Sequence, residues 1–246
     1  MSARDLIDSG QLEVKSLITH RFAFEDAPDA YAALTDDKSG LGMLLLYTSQ
    51  AEDRAVREVP LSGSATFDSQ RPVLGFIGAG NYASRVLIPA FKAAGAQLHT
   101  IVTAGGINSV IHGEKAGFAQ ASTDMDKMLV DPAINTVAIV TRHDSHARFV
   151  SKALLAGKHV FVEKPLAITM AELEEVRTAY QTAHKQGNGP QLMVGFNRRF
   201  APQVQKMKSL LEAVKEPKTF IMTMNAGAIP SSHWTQDIAT GGGRIT

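Results

Sequence analysis

The chain has 246 residues, 44% of them hydrophobic and 20% charged, with a formal net charge of +1. That length and composition suit one large or two modest globular domains with ample material for a core. The near-neutral balance gives no overall field favouring nucleic acid or an anionic membrane, and the absence of cysteine removes disulfides, cysteine-containing zinc sites and thiol nucleophiles together.

The start, MSARDLIDSG, has no apolar signal core, and no uninterrupted apolar run approaches the ~18 residues that span a membrane. A soluble, cytoplasmic protein is the expectation. Within residues 1–48, ARDLIDSG reads as a helix, VKSLITHRF as a strand, EDAPDAYAALTDD as a helix and LGMLLLY as a strand. The Ser-, Gly-, Pro- and charge-rich stretch over 49–71 reads as a linker.

From Val73 the pattern becomes regular. Short apolar runs (VLGFIG, LHTIVT, TVAIVT, HVFVEK and QLMVGF) alternate with the helical stretches NYASRVLIPAFKAAG, DMDKMLVDP, DSHARFVSKALLAG and TMAELEEVRTAYQTAHKQG. Strands apolar on both faces, each followed by a helix, predict an α/β fold with a doubly wound parallel sheet over 72–196. Asp144 and Thr169 are expected N-caps, Thr169 with Glu172 three residues on, and Gly157 and Gly187 are expected helix stops. After Phe196, RRFAPQVQKMKSLLEAV reads as a helix and KTFIMTMNA as a strand, before the chain ends in IATGGGRIT. Residues 197–246 are the expected start of a second, α+β domain.

Three places along this pattern carry chemistry. Gly78-x-Gly80-x-x-Ala83 lies between a predicted strand and helix, where a dinucleotide fingerprint belongs. Gly78 permits the tight turn, Gly80 lets backbone approach a pyrophosphate, and small Ala83 lets helix pack on sheet. The alternative is a structural glycine turn. Such a fingerprint is usually followed, ~20 residues on, by an acid that binds the adenosine ribose. None follows Thr103, and no arginine stands there for a 2′-phosphate. Asn108 and Ser109 suit either form, or the loop simply caps its strand, so NAD and NADP both remain open.

The second place is TRHDSH. His143 and His146 have an H-x-x-H spacing, but no third ligand is in reach and zinc needs three or four, so no metal site is expected. Thr141 to His146 fall instead at the carboxyl edge of the sheet, where open α/β sheets bind ligands; His146 alternatively caps or solvates the helix start. The third place is Glu163-Lys164-Pro165. Lys164 is either a surface lysine snorkelling from a strand end or a partly buried amine, its pKa lowered, that exchanges a proton with a substrate oxygen. Pro165 restricts the backbone before it, and Glu163 is placed to orient or pair with the amine.

GFIGAGNYA, the T-x-x-x-x-H-A stretch ending at His146 and Ala147, AGKHVFVEKP and the later GGG together resemble the glucose–fructose oxidoreductase / inositol 2-dehydrogenase (Gfo/Idh/MocA) family over residues 72–246. The resemblance implies a Rossmann domain binding NAD or NADP, a sugar-like, polyol or small carbonyl substrate, a catalytic Lys164, and a Pro165 that shapes the nicotinamide pocket. The cofactor-binding set it implies is Gly78, Gly80, Asn81, Tyr82, Ala83, Thr141, Arg142, His146, Glu163 and Pro165. Arg142 stands where many members carry proline. In the family an acidic residue and a histidine follow the glycine run and work beside the lysine. Thr246 precedes both, so a truncated and weakly active or inactive form is expected, the alternative being a non-catalytic NAD(P)-binding module or redox sensor. Residues 1–48 resemble a different source, the carboxyl-terminal end of a zinc-type medium-chain alcohol dehydrogenase without its zinc ligands. The expectation is an internal piece of a bi-domain oxidoreductase, a homo-oligomer when intact, with neither nucleic-acid nor membrane partners.

Overall fold

The structure is a computed structural model that describes residues 3–36, 39–47, 56–63, 66–185, 189–223, 225 and 227–243. It divides into two compact units, Met1–Val56 and Arg57–Thr246. No helix among the described residues is long and apolar enough to cross a membrane.

The first unit contains α1 (Ala3–Asp8), β1 (Ile18–Ala23), α2 (Ala27–Asp36) and β2 (Gly42–Leu46), in the order the apolar periodicity predicts. β1 and β2 pair in parallel, with Arg21 opposite Leu44. Thr19 locks the register, its Oγ1 accepting from Leu41 N–H (3.1 Å) and donating to Gly42 O (3.1 Å). Ala30 on α2 is the one residue buried among those described in this unit.

The second unit is built on β3 (Glu58–Pro60), β4 (Val73–Ile77), α3 (Ile88–Ala93), β5 (Gln97–Val102), α4 (Ile107–Ala116), β6 (Gln120–Ser122), α5 (Met125–Val130), β7 (Thr136–Ile139), α6 (His146–Leu155), β8 (His159–Val162), α7 (Met170–His184), β9 (Leu192–Val194), α8 (Pro202–Leu211) and α9 (Ile238–Gly241). The sheet order is β3-β6-β5-β4-β7-β8-β9, parallel throughout except for the β3–β6 pair. Every residue of β4 is buried. Alternate side chains feed the two faces: Leu74 and Phe76 join Ile88, Ile101 and Phe118 in one cluster, while Ile77 joins Val137, Ile139, Val150 and Val162 in the other. That two-sided burial is why these strands are continuous β-branched runs.

Helix punctuation follows in part. Thr169 makes a full capping box with Glu172, and Gly157 ends α6 at φ +73°. Asp144 is not an N-cap. It sits inside a 3-10 turn, His143–Ser145, that leads into α6, because Ser145 turns back, its N–H and Oγ both donating to Arg142 O (3.2 and 2.8 Å). Gly187 lies outside the described residues.

Three further differences have local causes. Part of the stretch that composition marks as linker is sheet: Leu61 N–H donates to Ala119 O and Thr123 N–H to Arg57 O (both 2.8 Å), and Lys127 pairs with Glu58, so β3 extends the edge beyond β6. Helix α4 and strand β6 occupy a region whose glycines and short apolar runs gave no clear period. Residues 218–223, strand-like in sequence, pair with no other strand, and Ile221 is 94% exposed.

Candidate functional site

Strand β4 delivers the glycine turn to the carboxyl edge of the sheet. Gly78 has φ +100°, and a Cβ there would lie 2.4 Å from Val140 O, so only glycine turns this close to β7. Its N–H donates to Val102 O (2.9 Å). Around Gly80 the opposite holds: a Cβ would meet nothing within 4 Å, leaving an open approach to its backbone. The first helical turn begins there, with Ser84 N–H and Oγ both donating to Gly80 O (2.9 and 3.0 Å). Ala83 is fully buried against the sheet, and a π-helical turn, Ala83–Leu87, leads into α3. Asn81 is exposed, and the Tyr82 hydroxyl accepts from Asn197 Nδ2 (2.9 Å).

After β5 the ribose-side loop carries no ionised group. Ser109, a candidate in sequence, is fully buried with its hydroxyl donating to Gly106 O (2.6 Å), while Asn108 is exposed. Ser109 therefore fixes the turn that starts α4 rather than facing a ligand.

Strands β7 and β8 end side by side, Ile139 opposite Val162, and Glu163 N–H donates to Ile139 O (3.0 Å). This places Thr141–His146 next to Glu163–Pro165. His146 is buried within that joint and presents no open face. Its Nδ1 lies 2.7 Å from Pro165 O and its Nε2 3.1 Å from Thr141 O, so the ring ties the two strand ends together. His143 turns elsewhere, its Nδ1–H donating to Gly241 O (2.8 Å). The two imidazoles thus address different carbonyls. Burial holds His143 below its ordinary pKa, the Gly241 hydrogen bond opposing and the nearby Lys164 charge adding to the depression.

Glu163 is buried. Its Oε2 accepts from Lys164 N–H (3.3 Å), and its Oε1 has no hydrogen-bond partner. Burial pushes its carboxyl up from the ordinary range against the pull of Lys164. The Lys164 side chain is exposed, in line with the surface alternative that the sequence left open and not with the partly buried one. Its Nζ makes neither hydrogen bond nor ion pair among the described residues. Gly195 packs against the Glu163 carboxyl, which a Cβ would approach to 2.7 Å, so β9 closes over the acid but leaves the amine free.

The sequence reading passed over the segment that closes beside this edge. Trp234 meets His143 edge-on at 4.8 Å, and the Arg142 guanidinium lies over the indole, 5.8 Å from its centroid. The glycine run has a local reason: a Cβ on Gly241 would lie 2.5 Å from Thr235 Cα, and Gly242 and Gly243 have φ of +80° and +74°. The chain's single tryptophan, ahead of three glycines, was the signal available in the sequence. A cavity of about 360 Å³ is lined by Asn81 and Ser84 of the glycine turn together with α3 and α4, and another of about 460 Å³ lies between α6 and α7; Lys164 lines neither.

A glycine turn at the centre of a parallel sheet, with a free lysine two strands away on the same edge, defines a dinucleotide-binding α/β protein. The model of the Gfo/Idh/MocA oxidoreductase family, with its NAD-binding Rossmann fold, matches residues 73–196, and the chain belongs to that family. It is 35% identical over 118 residues to scyllo-inositol 2-dehydrogenase (NAD(+)) of Bacillus subtilis (strain 168), covering 47% of this chain and 33% of that protein. It is 29% identical over 119 residues to myo-inositol 2-dehydrogenase of Thermotoga maritima, covering 48% and 34%. The chain thus spans about a third of the length of these relatives. A 3-ketoreductase from Actinomadura kijaniata, solved with NADP and TDP-benzene, shares the fold at TM-score 0.56 and 22% identity, over 70% of this chain and 53% of that one.

Proposed function

We propose that the chain is the cofactor-binding portion of an NAD(P)-dependent oxidoreductase that passes hydride between a nicotinamide and a sugar-, polyol- or carbonyl-like substrate. The observation that carries this is the placement of the Lys164 amine, without hydrogen bond or ion pair among the described residues, at the edge where the glycine turn opens. Bound there, the nicotinamide supplies the hydride donor or acceptor. Gly78 and Gly80 admit the pyrophosphate to the backbone, and the first amides of the Asn81–Ala83 turn face its charge. Lys164 gives a proton to the substrate oxygen in reduction and takes it in oxidation. Glu163 and Pro165 set the backbone on either side of it, and Thr141 and Arg142 line the neighbouring strand end. His146 serves the site by holding Pro165, not by touching the cofactor.

The relatives' names supply the substrate range: two are inositol dehydrogenases, and the A. kijaniata structure is a ketoreductase. Their greater length supports a further part of this reading, that residues 197–246 begin the substrate domain and that 246 residues alone turn over weakly. We assign residues 1–48, with their strand–helix–strand order, to an alcohol dehydrogenase-like remnant.

Titration with NADH and NADPH, followed by fluorescence, tests the cofactor half; no saturable binding up to millimolar concentration would sink it. Turnover on a polyol and ketose panel tests the rest. Lys164→Met is expected to lower turnover ~10²–10⁴-fold while leaving cofactor binding intact. Equal turnover by the variant would return Lys164 to the surface.

A further inference from the structure

The Arg142 guanidinium has no hydrogen-bond or ion-pair partner among the described residues, and the backbone behind it is held. Its carbonyl accepts from Ser145 N–H, Ser145 Oγ and Thr141 Oγ1 (3.2, 2.8 and 3.3 Å), so the backbone that launches the side chain is fixed. The guanidinium lies over Trp234. That indole is braced by His143, and His143 by Gly241 O. A guanidinium resting on a ring face keeps its N–H edge available, and that edge matches the two oxygens of a carboxylate. Arg142 makes no hydrogen bond through its guanidinium and no ion pair among the described residues, although Asp144 lies two positions along the same turn.

The neighbouring charges are consistent with an anionic visitor. Lys164, at the end of the adjacent strand, is equally unpaired among the described residues, and His143 is held toward its neutral form. Two carboxylates close by are engaged or withdrawn. Asp237 caps α9 through Ala239 N–H (3.1 Å) and Thr240 Oγ1 (2.6 Å), and Glu163 is buried beneath the lysine. Asp144, exposed and without an ion pair among the described residues, and Asp237, whose cap hydrogen bonds hold its carboxyl below the ordinary range and so ionised, are the charges that oppose an anion here.

From this geometry we propose that the substrate carries a carboxylate, that Arg142 binds it against the Trp234 face, and that Lys164 addresses the reacting oxygen of the same molecule. The proposal rests on the oxidoreductase reading above and narrows its substrate to acidic sugars and polyols. Arg142 is then a specificity-determining residue for the substrate, not a cofactor contact. Holding the side chain in place beforehand limits the ordering cost of binding.

The single tryptophan makes the test direct, because Trp234 emission reports this corner alone. The intact chain is titrated with D-gluconate and D-glucuronate and, separately, with myo-inositol and D-glucose, following Trp234 fluorescence with calorimetry as a second readout. The acids are expected to bind roughly tenfold more tightly than the neutral compounds, the scale of one charge-assisted contact. Arg142→Met is expected to bring acid and neutral ligands within about twofold of each other. Circular dichroism checks that the variant is folded, and Arg142→Gln replaces it if it is not. Equal binding of acids and neutral polyols, an acid preference that survives loss of Arg142, or no binding of either class overturns the proposal. A parallel loss of NADH affinity also overturns it, because Arg142 would then belong to the cofactor. If the acids bind through Arg142 but NADH and NADPH do not bind, the oxidoreductase reading fails and the carboxylate site stands.

Discussion

The two units each contain parallel strands joined through a helix, yet they bury them differently. In β4 all five residues are buried, with core side chains on both faces, whereas in β1 and β2 not one residue is. Leu44, Leu46 and Tyr47 stand 40%, 45% and 51% exposed, while Leu74 and Phe76 are fully enclosed. Parallel pairing alone therefore does not make a core. Covering both faces does, and only the second unit has helices on each side of its sheet.

Substitutions can break or sharpen this contrast. Phe76 packs edge-on against Phe91 and Phe118, at 6.1 and 6.2 Å. Phe76→Ala is expected to cost about 3–5 kcal/mol in urea unfolding, against less than about 1 kcal/mol for Leu44→Ala at its half-exposed position. Similar costs at the two positions would dissolve the distinction. Next in size is Lys158→Met. Lys158 is buried immediately before β8, donating to Asp131 O and Ile134 O, both at 2.7 Å. Its loss strands buried carbonyls and is expected to cost about 1–3 kcal/mol; a neutral result would mean that water replaces the amine.

The smallest effect concerns Glu163. Burial raises its folded pKa, so between the ordinary carboxylate range and that raised value the folded chain holds more protons than the unfolded one. Its contribution therefore makes stability fall as pH rises through that window. Glu163→Gln is expected to remove that slope, seen as a difference between wild-type and variant melting temperatures that narrows as pH is lowered from neutrality. A difference that widens instead would show the carboxylate to be stabilised in place.

Most of the second unit was legible because its strands are buried on both faces and its helices carry ordinary punctuation. Thr169 with Glu172 three residues on marks the start of α7 in the sequence, and the capping box is there. What escaped depends on partners remote in sequence. Val59 becomes strand only because Ala121 lies opposite it, and nothing in VREVPLSG marks that pairing. That the glycine turn and Lys164 share one edge of the sheet could be read from the order of the elements, while spacing alone left the role of Lys164 open. The Arg142–Trp234–His143 cluster was not, since it joins residues about ninety apart across a turn whose shape needs the glycines at 241–243. His146 looked like a ligand-facing residue because its position follows the strand end, but its direction is set by two carbonyls.

Lys158 and Lys164 bracket the four residues of β8, one ammonium locked onto two carbonyls and the other open to solvent. An amine-acylating reagent applied to the native chain should mark the second and spare the first, so a short stretch of chain carries its own internal reference. Mass-spectrometric comparison of the two lysines then measures occupancy at the strand end directly, since anything that settles over Lys164 slows its modification relative to a neighbour that stays out of reach throughout.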